Sequence, residues 1–338
     1  MSLFLFVCRR TLGLVLLLLV LSSLVFFFAR SLPGDVAALY IGGNAKPEQI
    51  ERARIELGLD KPLYIQYLRY MEKLIHGDLG ISLRTHRPVL KDLIEKIPMS
   101  LELVILALFF ATLFGVFTGV IATWYQNAWP DTVIKWITSA CVSIPIFFLA
   151  LILQILFFNI LGWLPLQGRI DTFLEFSNPI QQITGFSLID TLITGNVTVF
   201  FNVARHMVLP VFALMVASFG MIARLTRSSL IDVMQQDYIL SARALGISER
   251  TVFFYYGLRN ALSPVLTIIG LSVALILLAT FYVEMIFNWP GIGYYALAAI
   301  LSLDYTALMG VALMIGTVYV VANTLMDIVR RMVDPRIK

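Results

Sequence analysis

The chain has 338 residues, of which 59% are hydrophobic and only 14% are charged, with a formal net charge of +4. Ordinary soluble domains carry roughly 25% charged residues. A soluble protein this apolar would expose large adhesive patches, so the composition excludes an ordinary soluble domain and favours a membrane protein. The two cysteines, Cys8 and Cys141, are too few for a disulfide framework.

Six hydrophobic segments approach the length needed to cross an apolar layer of about 30 Å. They are Thr11–Ala29, Met99–Tyr125, Ile134–Leu161, Val208–Leu225, Pro264–Phe287 and Tyr305–Val329. The first is longer than the apolar core of about 7–15 residues in a signal peptide, so we expect a retained helix. The sequence therefore predicts an all-α integral membrane protein with six transmembrane helices.

The distribution of Lys and Arg predicts that both termini are cytoplasmic. This topology places the following basic residues inside: Arg9, Arg10, Lys135, Arg224, Arg227, Arg243, Arg250, Arg259, Arg330, Arg331, Arg336 and Lys338. The short outer loops then carry only Arg169 and Arg205. Because topology explains the positive charge, we predict contact with the lipid bilayer and no binding to nucleic acid.

Three regions follow from this topology. Residues 1–29 form the cytoplasmic N-terminus and first helix, residues 30–98 form an extracytoplasmic helical region, and residues 99–338 form the transmembrane core. Within the core, residues 226–263 form a long cytoplasmic loop. In the outer region, "PEQIERARIELGLDKP" and "LYIQYLRYMEKLIHG" predict two short helices that end near Gly58 and Gly77. They either lie on the membrane surface or cap the bundle, or they form a docking surface for an external partner.

Motifs for catalysis are missing from the sequence. The Gly-Lys pair of a Walker A motif does not occur, and neither does a G-x-S-x-G nucleophile motif. His76, His86 and His206 lack the spacing of metal ligands. We therefore predict that the chain is not an enzyme, has no cofactor and has no metal site.

Within the predicted spans, four residues are candidates for packing or for the transport path. Gly115 and Gly119 form a small-xxx-small face, which allows another helix to approach closely. Glu102 and Glu284 lie near the outer ends of their helices. Carboxylates within a membrane usually face a water-filled interior, so both are candidates for the pathway or a gate.

The loop between the fourth and fifth spans is too long for a simple connection. Apolar positions at helical spacing continue through "SSLIDVMQQDYILSARALG", and Gly246 then interrupts them, as expected of a residue with positive φ. Ser248 is a candidate N-cap for a second short helix. The pattern predicts a short helix, a tight turn and a second short helix outside the lipid, available to a cytoplasmic partner.

These residues resemble the cytoplasmic signature loop in permease subunits of the dipeptide/oligopeptide family of binding-protein-dependent ABC importers. The family pattern is matched by "DYILSARALG" (Asp237–Gly246) and "LRNALSP" (Leu258–Pro264). The resemblance extends along the chain through "LPGD", "GDLGISLRT", "WPGIG" and "DPRIK", in that order. It implies a six-helix fold of the type I ABC importer kind, with a helical extracytoplasmic insertion after helix 1.

The resemblance also implies a mechanism. The segment Asp237–Pro264, called the coupling segment below, would enter a cleft of a separate ATPase subunit. Its candidate coupling residues are Asp237, Tyr238, Ala242, Arg243, Ala244, Leu245, Gly246, Arg259, Asn260 and Pro264. The small residues would permit a close fit, and Arg243 would form a polar contact or a structural pair. ATP-driven closure of the ATPases would then switch the helices between inward-facing and outward-facing states.

The implied partners are two ATP-binding subunits, a second related permease in a heterodimer, and an extracytoplasmic substrate-binding protein, all at the cell inner membrane. Two positions depart from the family. Ser241-Ala242-Arg243 stands where the wider ABC importer signature has Glu-Ala-Ala, and Tyr256 stands where the subfamily often has His.

Several functions remain open at this point. The favoured cargo is a dipeptide or oligopeptide, but related permeases carry nickel, glutathione or other small polar substrates. An ion-gradient-driven transporter is a different class, which would predict internal repeats and a buried acidic pair that the sequence lacks. A membrane scaffold would need no docking loop.

Overall fold

The computed structural model describes residues 3–31, 37–38, 46–56 and 58–333. This part of the chain is helical, without β-strands, and contains one isolated bridge between Ile81 and Pro88. The first six helices are α1 (Leu3–Ser31), α2 (Pro47–Glu56), α3 (Leu63–Ile75), α4 (Val89–Trp124), α5 (Trp129–Ser143) and α6 (Ile146–Gln154), which continues as a π-helical turn over Ile155–Ile160. The others are α7 (Thr172–Ser177), α8 (Ser187–Ile193), α9 (Val197–Met234), α10 (Asp237–Ala244), α11 (Glu249–Ile286), α12 (Ile292–Leu301) and α13 (Tyr305–Val333).

Among the described residues, four helices are long and apolar enough to cross a membrane: α4, α9, α11 and α13. The helices α5 and α6, which are bent by 101° at a short break, are long and apolar enough to cross a membrane only when they are taken together as one span. Helix α1 has 29 residues, a length of roughly 43 Å at the usual helical rise. Each predicted hydrophobic segment lies on one of these helices or on the bent pair. The predicted all-α membrane fold is confirmed.

The helices that carry three of the predicted spans are longer than the hydrophobic runs that start at Met99, Val208 and Pro264. Helices α4, α9 and α11 begin well upstream of these residues, and each contains a proline in its interior. The hydrophobic runs mark only the apolar part of each helix. Proline is tolerated inside a membrane helix because neighbouring helices and local adjustments satisfy the backbone groups that it leaves free.

The third predicted span, Ile134–Leu161, is not one continuous helix. Helix α5 ends at Ser143, and Ile144 and Pro145 are extended, with ψ of 123° and 132°. A proline ring disfavours helical geometry in the residue before it. The segment is hydrophobic throughout, so its hydrophobicity did not indicate the break. Pro145 explains why the helix is interrupted there.

The chain divides into two compact units. One covers Met1–Ile97 and Gly291–Val320, and the other covers Pro98–Pro290 and Val321–Lys338. In the second unit, α9 packs against α5, α6, α8 and α11. Its core contains the buried cluster Ala111, Ile222, Val265 and Ile269. This unit contains the coupling segment.

The first unit contains α1 to α3, the start of α4, α12 and most of α13. The two short helices predicted in the outer region are confirmed as α2 and α3, and Gly58 and Gly77 have φ of 66° and 77°. The predicted domain boundary at residue 98 falls inside α4. The assignment of residues 30–98 to the outside of the membrane stays a prediction.

Candidate functional site

The coupling segment begins with α10, which ends in a Schellman motif. Gly246 has φ of 75°, its amide donates to the Arg243 carbonyl (2.9 Å), and the Ile247 amide donates to the Ala242 carbonyl (3.2 Å). This pair of bonds satisfies carbonyls that would otherwise lack partners at the helix end. The positive φ predicted at Gly246 is confirmed. No atom lies within 4 Å of a Cβ built at Gly246, so its role here is conformational.

After the turn, Ser248 caps the next helix through a hydrogen bond from the Thr251 amide to its side chain (3.4 Å). The predicted N-cap is confirmed. The predicted second short helix is wrong as a separate element, because the helix that begins at Glu249 continues as α11 to Ile286. A π-helical turn at Val252–Leu258 joins the two parts. Because α11 is continuous, the turn at Gly246 is connected directly to a helix that is long and apolar enough to cross a membrane.

An ion pair spans the turn. Arg243 Nε donates to Glu249 Oε1 (2.6 Å), and the second guanidinium nitrogen donates to Oε2 (3.3 Å). Both side chains are well exposed. Exposed pairs contribute only about 0.2–1 kcal/mol, although bidentate geometry improves the contribution. In this structure the Arg243 side chain holds α10 against the start of α11.

The two sides of α10 differ in exposure. Ile239 and Ala242 are buried against Val252, with Met234, Ile247 and Tyr256 around them. Outside this packed strip, Tyr238 (42%) and Leu240 (55%) are exposed on α10, Leu245 (80%) is exposed at its C-cap, and Ala244 is also exposed. Ala242 is therefore an internal packing residue, whereas Ala244 lies on the surface that a partner can reach.

The base of the coupling segment is fixed to the transmembrane core by residues that sequence reasoning missed. Leu230, Phe253 and Ala261 form a buried cluster between α9 and α11. A Cβ on Gly257 would lie 2.8 Å from Met234 Sδ, so a larger residue there would require the Met234 side chain to shift. The signal available in the sequence was a lone glycine inside an aromatic run, "FFYYGL".

The remaining candidate coupling residues lie at the two ends of the segment. Asp237 is exposed in the first turn of α10. Arg259, Asn260 and Pro264 are exposed on the first turns of α11 after the π-helical turn. The Asn260 side chain donates to the Tyr256 carbonyl (2.7 Å), which places a local hydrogen bond at the π-helical turn.

The two candidate pathway carboxylates are buried and hydrogen-bonded. Glu102 accepts hydrogen bonds from the backbone amides of Ser187 (3.0 Å) and Leu188 (2.7 Å), at the first turn of α8. An anion there compensates the unpaired amides and the dipole of the helix. Glu284 is fully buried and accepts a hydrogen bond from the Ser100 hydroxyl (2.5 Å). Both acids connect elements in this conformation, and their role in a pathway stays a prediction.

Gly115 and Gly119 lie where α4 meets α9. A Cβ on Gly115 would lie 2.8 Å from Ile222 Cγ2, and a Cβ on Gly119 would lie 2.7 Å from the Ala223 carbonyl. The two helices approach closely because these positions carry no side chain.

A buried charge cluster between α5 and α9 was not predicted from the sequence. Asp131 is fully buried and accepts two hydrogen bonds from Arg227 (2.6 and 2.9 Å). Lys135 Nζ lies 2.8 Å from the same carboxylate. The pair joins α5 to α9, and the long sequence separation gave no signal for it.

The exposed side chains of the coupling segment form a surface and not a cluster of ligating groups. No group of three or more His, Cys, Asp or Glu side chains in the described chain could hold a metal ion. The exposed side of α10 offers apolar and small side chains on a capped helix, tied by side-chain packing and one continuous helix to the membrane core. Such a surface can transmit movement between a soluble partner and the spans.

Comparisons with known proteins agree with this architecture. Residues 111–338 match the family described as "Binding-protein-dependent transport system inner membrane component". Residues 3–104 match the family described as "Binding-prot-dependent transport system membrane comp, N-term". The two matches together cover nearly the whole chain.

Individual relatives are similar over their full length. The chain is 38% identical to the probable D,D-dipeptide transport system permease protein DdpB of Escherichia coli, over 97% of this chain and 96% of that protein. It is 38% identical to the dipeptide transport system permease protein DppB of Alkalihalophilus pseudofirmus, over 98% of each. It is 34% identical to the glutathione transport system permease protein GsiC of Escherichia coli, again over 98% of each. The chain therefore belongs to the family of inner membrane components of binding-protein-dependent transport systems.

Proposed function

We propose that this chain is a permease subunit of an ATP-driven importer that takes up di- or oligopeptides delivered by an extracytoplasmic binding protein. In this proposal its spans form part of the pathway, and ATP hydrolysis occurs on two separate ATPase subunits. A second, related permease completes the pathway. Both termini are cytoplasmic, so the coupling segment faces the ATPases and residues 30–98 face the binding protein.

The observation that carries the proposal is the exposed apolar side of α10. Tyr238 and Leu240 are exposed on α10 and Leu245 is exposed at its C-cap, while Ile239 and Ala242 hold the helix against Val252. A helix lying outside the spans gains nothing from exposing these side chains to water. An ATPase cleft that covers them would bury their apolar surface and hold the helix.

Movement would reach the membrane through α11. The turn at Gly246 is fixed by its two backbone hydrogen bonds and by the Arg243–Glu249 pair. The helix that starts three residues later, at Glu249, continues through a π-helical turn into the fifth predicted span. A displacement of α10 by the closing ATPases would therefore displace α11 as well.

The peptide cargo is supported by relatives named as dipeptide permeases that align over almost the whole chain. Glutathione is a second candidate, because the glutathione permease GsiC aligns over the same length at 34% identity. Both cargoes are small polar molecules that contain amide bonds, which makes glutathione a reasonable substrate to measure beside a dipeptide.

The test is uptake by cells with and without the gene, using labelled dipeptide, labelled glutathione and nickel in parallel. We expect loss of dipeptide uptake on deletion and its return when the gene is supplied on a plasmid. Loss of glutathione or nickel uptake alone would keep the transport mechanism and replace the cargo. Unchanged uptake of all three substrates, with a chain that fails to co-purify with an ATPase, would overturn the proposal.

A further inference from the structure

Helix α3 packs against α1 through one side. Tyr67 stacks on Phe27, with ring centroids 5.7 Å apart, and Tyr70 stacks on Phe26, with centroids 5.4 Å apart. The Tyr67 and Ser23 hydroxyls form a hydrogen bond of 2.6 Å. Both helices belong to the same compact unit. Helix α3 is thus fixed beside α1, which the sequence predicts to be the first membrane span.

A neighbouring side of α3 is apolar but uncovered. Tyr64 is 66% exposed, Leu68 is 62% exposed and Ile75 is 79% exposed. At 100° per residue these three side chains fall within a narrow arc beside the packed side. Arg69 and Lys73 occupy the opposite arc and are exposed. No residue of α3 is buried, so nothing in the described part of the chain covers the apolar arc.

The position along α1 of the contact between Ser23 and Tyr67 indicates what covers the apolar arc of α3. Arg30 marks the polar end of α1, and its guanidinium lies over the Phe26 ring, 5.6 Å from the centroid. Ser23, which contacts Tyr67, lies seven residues before Arg30, about 10 Å further into the span at the usual helical rise. The contact between the helices therefore lies below the polar end of the span.

The exposed apolar side of α1 adjoins the exposed apolar arc of α3. Leu16, Val20, Leu24 and Phe27 follow one side of α1 and are 58%, 51%, 63% and 47% exposed. On a membrane span, such a side faces lipid. Phe27 belongs to this side and also stacks on Tyr67. The apolar arc of α3 therefore continues the lipid-facing surface of α1.

We propose that α3 lies in the membrane interface at the C-terminal end of α1, with Tyr64, Leu68 and Ile75 inserted among lipid acyl chains. Arg69 and Lys73 then reach the headgroup layer, where basic residues interact favourably with anionic lipids. Interfacial helices typically insert by about 5–10 Å, which agrees with the depth of Ser23. With a cytoplasmic N-terminus, the lipid is that of the outer leaflet. The inference rests on α1 as a span and not on the identity of the cargo.

The test uses nitroxide labels on single cysteines in the assembled transporter, reconstituted in bilayer nanodiscs of zwitterionic lipid with an anionic fraction. The background carries Cys8→Ser and Cys141→Ala. Labels are placed at Leu68→Cys and, as a second site, Tyr64→Cys, with Lys73→Cys as the matched control on the opposite arc. Collision with oxygen, which concentrates in lipid, is compared with collision with a water-soluble nickel chelate.

We expect oxygen accessibility to exceed nickel-chelate accessibility several-fold at positions 68 and 64, and the reverse at position 73. Greater access by the nickel chelate at 68 and 64 would overturn the proposal, since the arc would then face water. Protection from both reagents would also overturn it, because a second permease or another protein would then cover the arc. The measurement is then repeated with the binding protein added. Loss of accessibility to both reagents only after this addition would show that the binding protein, and not lipid, covers the arc.

Discussion

Ala242 and Ala244 are two residues apart on α10 but have different surroundings. Ala242 is 6% exposed and packs against Val252, whereas Ala244 is exposed on the side that we assign to the ATPase. Replacement by a larger apolar residue should therefore affect two different properties. The comparison separates packing within the coupling segment from docking onto it.

For Ala242→Leu we expect a loss of about 1–3 kcal/mol in the free energy of unfolding, because the added atoms overpack the cluster with Val252. For Ala244→Leu we expect a change in stability within about 0.5 kcal/mol but a loss of peptide uptake and of binding to the ATPase subunits. Thermal unfolding in detergent and co-purification measure the two effects. Normal uptake by Ala244→Leu would contradict the docking assignment.

Tyr70 gives the stability of the first unit a dependence on alkaline pH. Burial, and to a smaller degree the neighbouring Tyr67, raise the pKa of Tyr70 to about 12, compared with about 10 in an unfolded chain. The folded state thus holds the phenol proton more tightly. Its contribution to stability is complete below pH 10 and is lost as the pH rises through 12.

We expect Tyr70→Phe to reduce the fall in the unfolding temperature between about pH 10 and pH 12. The buried Tyr70 hydroxyl has no hydrogen-bond partner among the described residues. Its removal should therefore leave stability at neutral pH unchanged or slightly higher. Tyr255→Phe, on an exposed side chain, is the matched control. An alkaline profile identical in wild type and Tyr70→Phe would show that this phenol does not carry the effect.

At the scale of elements, periodicity and composition predicted most helices but not where three of the long ones begin. The α2–α3 pair followed from glycine stops, and the Gly246 turn followed from one glycine in a helical pattern. The starts of α4, α9 and α11 did not, because hydrophobicity reports the lipid-facing length and says nothing of polar extensions. The bend at Pro145 was not predicted, because the segment around it is hydrophobic throughout.

The candidate site was predicted in part. Its position, the turn and the cap at Ser248 are local features, and a local sequence pattern determines them. Which side of α10 is buried depends on α11, and the buried Asp131–Arg227 pair depends on two helices that are distant in sequence. A single sequence gives no information on such contacts, so these features required the structure.

The Asp131–Arg227 pair should contribute strongly to the contact between α5 and α9. Removing one partner of a buried ion pair costs about 3–5 kcal/mol, because the other charge is left uncompensated. For Arg227→Met we expect the lower end of this range, since Lys135 also contacts the carboxylate. The double variant Asp131→Leu/Arg227→Met should regain most of the loss. Thermal unfolding of the four proteins of this cycle gives the coupling energy, and additive effects would show that the pair is not formed.

At the scale of the whole molecule, we propose a membrane subunit that is driven by ATP hydrolysis on a partner. A capped helix outside the spans is continuous, through one turn, with the fifth span. Both halves of the chain match the membrane components of binding-protein-dependent systems. The rival class, transport driven by an ion gradient, requires neither the exposed side of α10 nor an ATPase.

Accumulation of labelled dipeptide in proteoliposomes is the measurement that tests this account most directly. The complete transporter is reconstituted so that ATP reaches the ATPase side and the binding protein reaches the opposite side, with no ion gradient imposed. We predict that dipeptide accumulates above its starting concentration with ATP and not with ADP. Accumulation without ATP that follows an imposed proton or sodium gradient would contradict the account.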